Sequence, residues 1–232
     1  MVWQFLLAAA IGAIAYVDRT AAFQLMLHRP LVVATAMGAV FGNVAAGAQV
    51  GAVLELLYLA RLPVGASIPP DDTGAAMFGG AAAAVASSSV GLDAGSFTAL
   101  LLLSVPCAEL GKAADRLIRR VNGRIAALTI ESVERGDSQA VEHGLLAGLI
   151  LFALSGMVLA LAFSGLGLAT GKLLLPRFGP ESKAQFAHLL PLFPLIGAAS
   201  VFSCTRTDRT APAFYLTMGM VFAATLFFRY AG

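Results

Sequence analysis

The segment from Gly144 to Ala169 contains no charged side chain. A run of this kind meets the requirement of about 20 consecutive apolar residues for a helix that crosses a hydrocarbon core about 30 Å thick. Further apolar stretches are Val2 to Val17, Leu31 to Leu59, Thr73 to Val90, Phe97 to Leu110, His188 to Ser203 and Ala211 to Phe228. Only 12% of the 232 residues are charged, where a soluble domain carries about 25%, so water is not the main solvent of this chain. In lipid every backbone N–H and C=O must be paired within the protein, which leaves helices or a closed barrel. Barrel strands alternate apolar and polar residues over about ten positions, and the sequence has no such alternation. The expected fold is all-α, one polytopic membrane helical bundle over residues 1–232, with broken or re-entrant helices around a glycine break.

The same composition narrows function. A formal net charge of +2 arises from a local excess of basic residues rather than a basic tail, which gives nucleic-acid binding no support. Cys107 and Cys204 lie far apart in or beside apolar stretches with no histidine cluster nearby, so packing suits them better than metal ligation. Val2 to Val17 lacks the basic flank of a signal peptide and is expected to stay in the mature protein. No nucleophile–base arrangement, phosphate-binding glycine loop or metal-ligand spacing is present. The chain is therefore expected to have no catalytic residues and no cofactor of its own. No internal repeat or low-complexity linker divides it.

Leu31 to Leu59 is too long for one ordinary span and is punctuated by Gly38, Gly42, Asn43, Gly47 and Gly51. Two half-helices are the natural reading, and the Gly38/Gly42 and Gly47/Gly51 pairs have the GxxxG spacing that lets a neighbouring backbone approach closely. Pro63, Gly65, Pro69 and Pro70 make Arg61 to Asp72 a loop. Lys112 to His143 is the most polar stretch, and Leu117, Ile118, Val121 and Ile125 could give it an apolar face, as in an amphipathic connector at the membrane surface. It carries Lys112, Arg116, Arg119, Arg120, Arg124 and Arg135, against Lys172, Arg177 and Lys183 in the next polar loop. The positive-inside rule puts the connector, at about residues 112–143, in the cytoplasm, and Arg206 and Arg209 after it on the same side.

Glu55 is the most informative single residue. It sits among apolar neighbours from Val50 to Ala60, where a carboxylate costs several kcal/mol unless it faces a polar cavity or a partner. It is either a site residue or a structural glutamate that pins two helices together. Asp71 and Asp72 follow the prolines, in a segment that lines a cavity or forms a solvated turn. Asn43 stands at the glycine break, where unwound backbone offers polar groups to a substrate. His28 and Arg29 precede Pro30 in a less regular stretch that also holds Gln24, and they read as interfacial anchors.

The order His28-Arg29-Pro30-Leu31, Gly42-Asn43, Gly47, Gly51, Glu55, Gly65 and Ile68-Pro69-Pro70-Asp71 resembles the N-terminal signature of the IIC sugar permease subunit of the mannose/fructose/sorbose family of the phosphoenolpyruvate-dependent phosphotransferase system. The resemblance covers residues 16 to 78 best and the later spans more loosely. It implies a multi-pass protein of the bacterial cytoplasmic membrane that binds a hexose and works with a IID membrane subunit. IIA and IIB phosphocarrier proteins would perform the phosphoryl transfer. By the same resemblance Glu55 matches the acidic residue after the glycine break, and Asp71 the acidic residue after the proline loop. Asn43, Gln24 and His28 are expected around the same pocket.

Two departures from the family pattern bear on function. Asn43 stands where many members have aspartate, and the chain ends at Gly232, shortly after Phe228-Arg229-Tyr230, where members usually continue through another apolar stretch. These departures keep open a degenerate, non-transporting sensor or scaffold subunit. A proton-driven transporter acting through Glu55 is a further alternative.

Overall fold

A computed structural model of the chain describes residues 2–60, 68–89, 91–205 and Met220. Pro63, Gly65, Arg206, Arg209 and, apart from Met220, the stretch from Ala211 to Phe228 lie outside the described residues. Among the described residues the secondary structure is helical: α1 Val2–Tyr16, α2 Pro30–Phe41, α3 Val44–Tyr58, α4 Asp72–Ser89, α5 Ala94–Glu134, α6 Ala140–Ala169, α7 Pro180–Ala187 and α8 Leu192–Thr205. Short π-helical turns extend α1 over Val17–Ala21 and α6 over Thr170–Leu174. Among the described residues four helical stretches are long and apolar enough to cross a membrane: Val2–Ala21, Ala94–Glu134, Ala140–Arg177 and Pro180–Val201.

The centre of the bundle is α4. Every residue from Thr73 to Ala86 is buried, and α2, α3, α5 and α6 all pack on it. A helix that is apolar all round belongs in an interior, and alanine and glycine let its neighbours come close. A Cβ on Gly80 would stand 2.5 Å from the carbonyl oxygen of Ala34 on α2, and one on Gly79 would stand 2.7 Å from Val50 on α3.

The expected glycine break is a helical hairpin. Gly42 ends α2 in the left-handed region, with φ of 106°, and its N–H donates to the carbonyl of Gly38 at 3.0 Å. Only glycine reaches that conformation without a steric penalty. Asn43 then starts α3 as its N-cap, its Oδ1 accepting from the Ala46 N–H at 3.0 Å. The two arms touch backbone to backbone, since a Cβ on Gly38 would stand 2.9 Å from the Cα of Gly47. Gly42 serves the turn, and Gly38 and Gly47 serve the packing.

The polar connector proves to be no separate element. α5 runs unbroken for 41 residues through Pro106 and Lys112 to Glu134, about 60 Å at 1.5 Å per residue. Its second half packs on α6, with Asn122 against Gly148 and Thr129 against Gly144. Of the four residues expected on the connector's apolar face, Leu117 and Val121 are exposed and Ile118 is buried. Lys172 to Lys183, expected as a loop, is mostly helical as well.

Candidate functional site

At one end of the bundle the end of α1, the open end of the α2–α3 hairpin and the start of α4 meet. Asp71 is the N-cap-like residue of α4. Its Oδ1 accepts from the Gly74 N–H at 3.1 Å, and its own N–H donates to the Ala108 carbonyl of α5 at 2.9 Å. The carboxylate is fully buried, takes a hydrogen bond from the Tyr16 hydroxyl and forms an ion pair with Arg19. Arg19 also reaches the Pro70 carbonyl at 3.3 Å and Asp72 at 3.5 Å. An unpaired buried charge is costly, and here every oxygen of Asp71 has a partner. Behind it α5 leaves no space, because a Cβ on Gly111 would fall on the Asp71 side chain.

Glu55, near the end of α3, is differently placed. Its Oε1 pairs with Arg29 at 2.5 Å and its Oε2 accepts the Leu31 N–H at 3.2 Å, so it caps the first turn of α2 with a negative charge at the favourable end of the helix dipole. Its side chain keeps 19% of its surface exposed, where that of Asp71 keeps none. His28, next to Arg29, accepts through its carbonyl from the Thr73 hydroxyl at 3.0 Å.

Residues 22–29 join α1 to α2 without regular structure. Phe23, Gln24 and Met26 have φ values of 70°, 52° and 64°, a region that side chains other than glycine rarely adopt. Asp18, buried in the π-helical turn, holds this segment through one carboxylate. It accepts the Leu25 N–H at 2.5 Å and the His28 N–H at 3.2 Å, and it pairs with His28 Nδ1 at 2.8 Å. Gln24 is exposed beside it.

Asn43 is not in this group. It lies twelve residues before Glu55 on the same helix, about 18 Å away along the axis. Beyond its capping role, its Nδ2 donates to the Ser87 hydroxyl at 2.9 Å and ties the hairpin tip to the end of α4. Among the described residues no group of three or more histidine, cysteine, aspartate or glutamate side chains is placed to hold a metal ion.

The sequence profile of the PTS system sorbose-specific IIC component matches residues 2–231. The chain belongs to that family. It is 25% identical over 205 residues to the mannose-specific EIIC component of Escherichia coli (strain K12), an alignment covering 87% of this chain and 73% of the relative. The corresponding protein of Shigella flexneri gives the same figures. Two solved structures share the fold, each 23% identical and each alignment covering 97% of this chain and 87% of the other. One is described only as a membrane protein, with a TM-score of 0.75, and the other is the mannose transporter ManYZ in complex with microcin E492, with a TM-score of 0.62. This IIC chain is thus a multi-pass sugar transporter component of the phosphotransferase system and not an enzyme.

Sequence reasoning about the IIC chain missed Tyr16, Asp18 and Arg19, the residues that engage Asp71 and the irregular segment. Asp18-Arg19 reads as the polar end of an apolar stretch, and only the fold shows that both side chains turn inward. The usable signal was adjacent opposite charges before a segment without helical pattern, opposite a second acid pair after prolines.

Proposed function

We propose that the chain is the hexose-translocating subunit of a mannose-family phosphotransferase system in the bacterial cytoplasmic membrane. It acts with a IID membrane subunit and passes sugar to IIA and IIB phosphocarrier proteins. The second half of α5 and the turn after it then face the cytoplasm, in keeping with their excess of Lys and Arg. The observation that carries this reading is the gathering of Glu55 and the Asp71 cluster around an irregular segment inside an otherwise apolar bundle. Non-helical backbone and carboxylates at such a place are the ingredients of substrate sites in secondary transporters.

Glu55 is the primary sugar contact in this proposal, because a carboxylate that keeps some exposure can accept two hydroxyls. Gln24 lies on the same segment, and His28 orients it through Asp18. Asp71 joins the site when Arg19 releases it, and Asn43 acts on the geometry of the hairpin. Replacement Glu55→Gln should abolish accumulation of sugar phosphate while leaving membrane insertion and co-purification with a IID subunit intact. Uptake at the wild-type level would end the assignment of Glu55. The full occupation of Asp71 also suits a non-transporting sensor or scaffold, which would co-purify with phosphocarriers and accumulate no hexose.

A further inference from the structure

A cavity of about 780 Å³ lies between the end of α1, the second half of α5 and the first half of α6, within the size range of small-molecule sites. Two contacts fix its orientation. Gly144 of α6 lies on Thr129, and a Cβ on Gly148 would stand 2.9 Å from Asn122 Oδ1. The end lined by Thr20, Arg119, Asn122 and Phe152 is therefore the one towards Tyr16, and the end lined by Ile130, Val141 and Leu145 is towards the α5–α6 turn. Polar groups gather at the inner end. Arg119 donates through Nε to the buried Asp115 at 3.0 Å, and among the described residues no hydrogen bond engages its two terminal nitrogens. Thr20, at the same end, directly follows Arg19 in the chain. The cavity thus ends beside the charge network that engages Asp71.

We infer that this cavity is the inner vestibule of the transport path, a second hexose station at which Arg119 and Asn122 bind hydroxyls beside the ring of Phe152. The inference rests on the reading of the chain as a hexose transporter. A guanidinium fork and an amide supply fixed donors and an acceptor for vicinal hydroxyls, and an aromatic wall offers the apolar side of the sugar ring a surface. Among the described residues no carboxylate lines the cavity, so binding there leans on donors, whereas the Glu55 station leans on acceptors. A phospholipid fits the arrangement poorly. Its headgroup would have to sit at the inner, polar end while its tails pointed outward past Val141 and Leu145.

Gly123 and Ala126 line the cavity, and a Cβ on Gly123 meets nothing within 4 Å, so a thiol fits there. The experiment uses G123C, with A126C as a second variant, in membranes that carry the whole transport complex and with Cys107 and Cys204 replaced by serine. N-ethylmaleimide should abolish uptake of whichever of mannose, fructose or sorbose the wild type takes up, and that sugar should slow the alkylation. Complete alkylation with undiminished uptake overturns the vestibule, as does an alkylation rate slowed by anionic phospholipid and untouched by the sugar. Wild-type membranes that take up none of the three sugars would count instead against the hexose reading, so the two failures are distinguishable.

Discussion

Gly111 of α5 and Asp71 at the start of α4 occupy one another's space so fully that a Cβ at residue 111 would stand 2.5 Å from the Cβ of Asp71. The buried ion pair of Asp71 with Arg19 is therefore clamped from behind as well as from the side. Gly111→Ala should destabilise the protein by about 1–3 kcal/mol, the usual cost of overpacking a tight interior. Gly123→Ala, on the same helix with open space around it, should be neutral or stabilising by up to about 1 kcal/mol. Thermal unfolding in detergent of the two variants side by side measures the contrast.

Arg19→Met leaves the Asp71 carboxylate buried without its counter-charge. The expected loss is about 3–5 kcal/mol, and adding Asp71→Asn to it should recover most of that loss. A double-mutant cycle on unfolding midpoints checks this, and additive effects would show that the two side chains do not depend on each other.

Asn43→Ala removes the N-cap of α3 and should cost about 1 kcal/mol. Asn43→Asp keeps an oxygen for the Ala46 N–H and places a negative charge at a helix N-terminus, while giving up the donor to Ser87. It should therefore lie well above the alanine variant in thermal stability, and equal melting of the two would contradict the capping role.

Asp93, in the turn before α5, ties that helix to α7 through Lys183 at 2.9 Å. Burial pushes its carboxyl up, but the Ser96 N–H and Lys183 outweigh this and hold it below the ordinary carboxylate range. A depressed folded-state value contributes stability above the unfolded value of about 3.9, and that contribution is lost as pH falls through the folded value. The wild type should accordingly lose stability relative to Asp93→Asn below about pH 4. The advantage of the wild type at neutral pH is small because the side chain is half exposed. Unfolding midpoints of both proteins between neutral pH and pH 3 decide the matter.

Much of the architecture could be read from residue order. Gly42-Asn43 announced the hairpin because glycine and asparagine have distinct conformational roles there, and the acids at Glu55 and Asp71 stood out because lipid makes any carboxylate conspicuous. Other features were hidden for physical reasons. The continuity of α5 was obscured because its first half is read by hydropathy and its second by charge, although nothing between Leu110 and Lys112 stops a helix. Which face of that second half turns inward was set by Asn122 and Thr129 meeting Gly148 and Gly144, contacts that local apolar periodicity does not report. The inward turn of Asp18 and Arg19 depends on a π-helical turn, whose extra residue re-aims side chains in a way ordinary helical spacing cannot predict.

The alanine-rich central helix has a mechanical consequence. Helices usually interlock because side-chain ridges of one fill grooves of the other, and such interlocking resists axial slippage. α4 offers its neighbours few ridges beyond Met77, Phe78 and Val85, so it behaves as a smooth shaft. The α2–α3 hairpin rests on one side of that shaft and α6 on another, which makes sliding along α4 the direction of least resistance for any relative movement of the two.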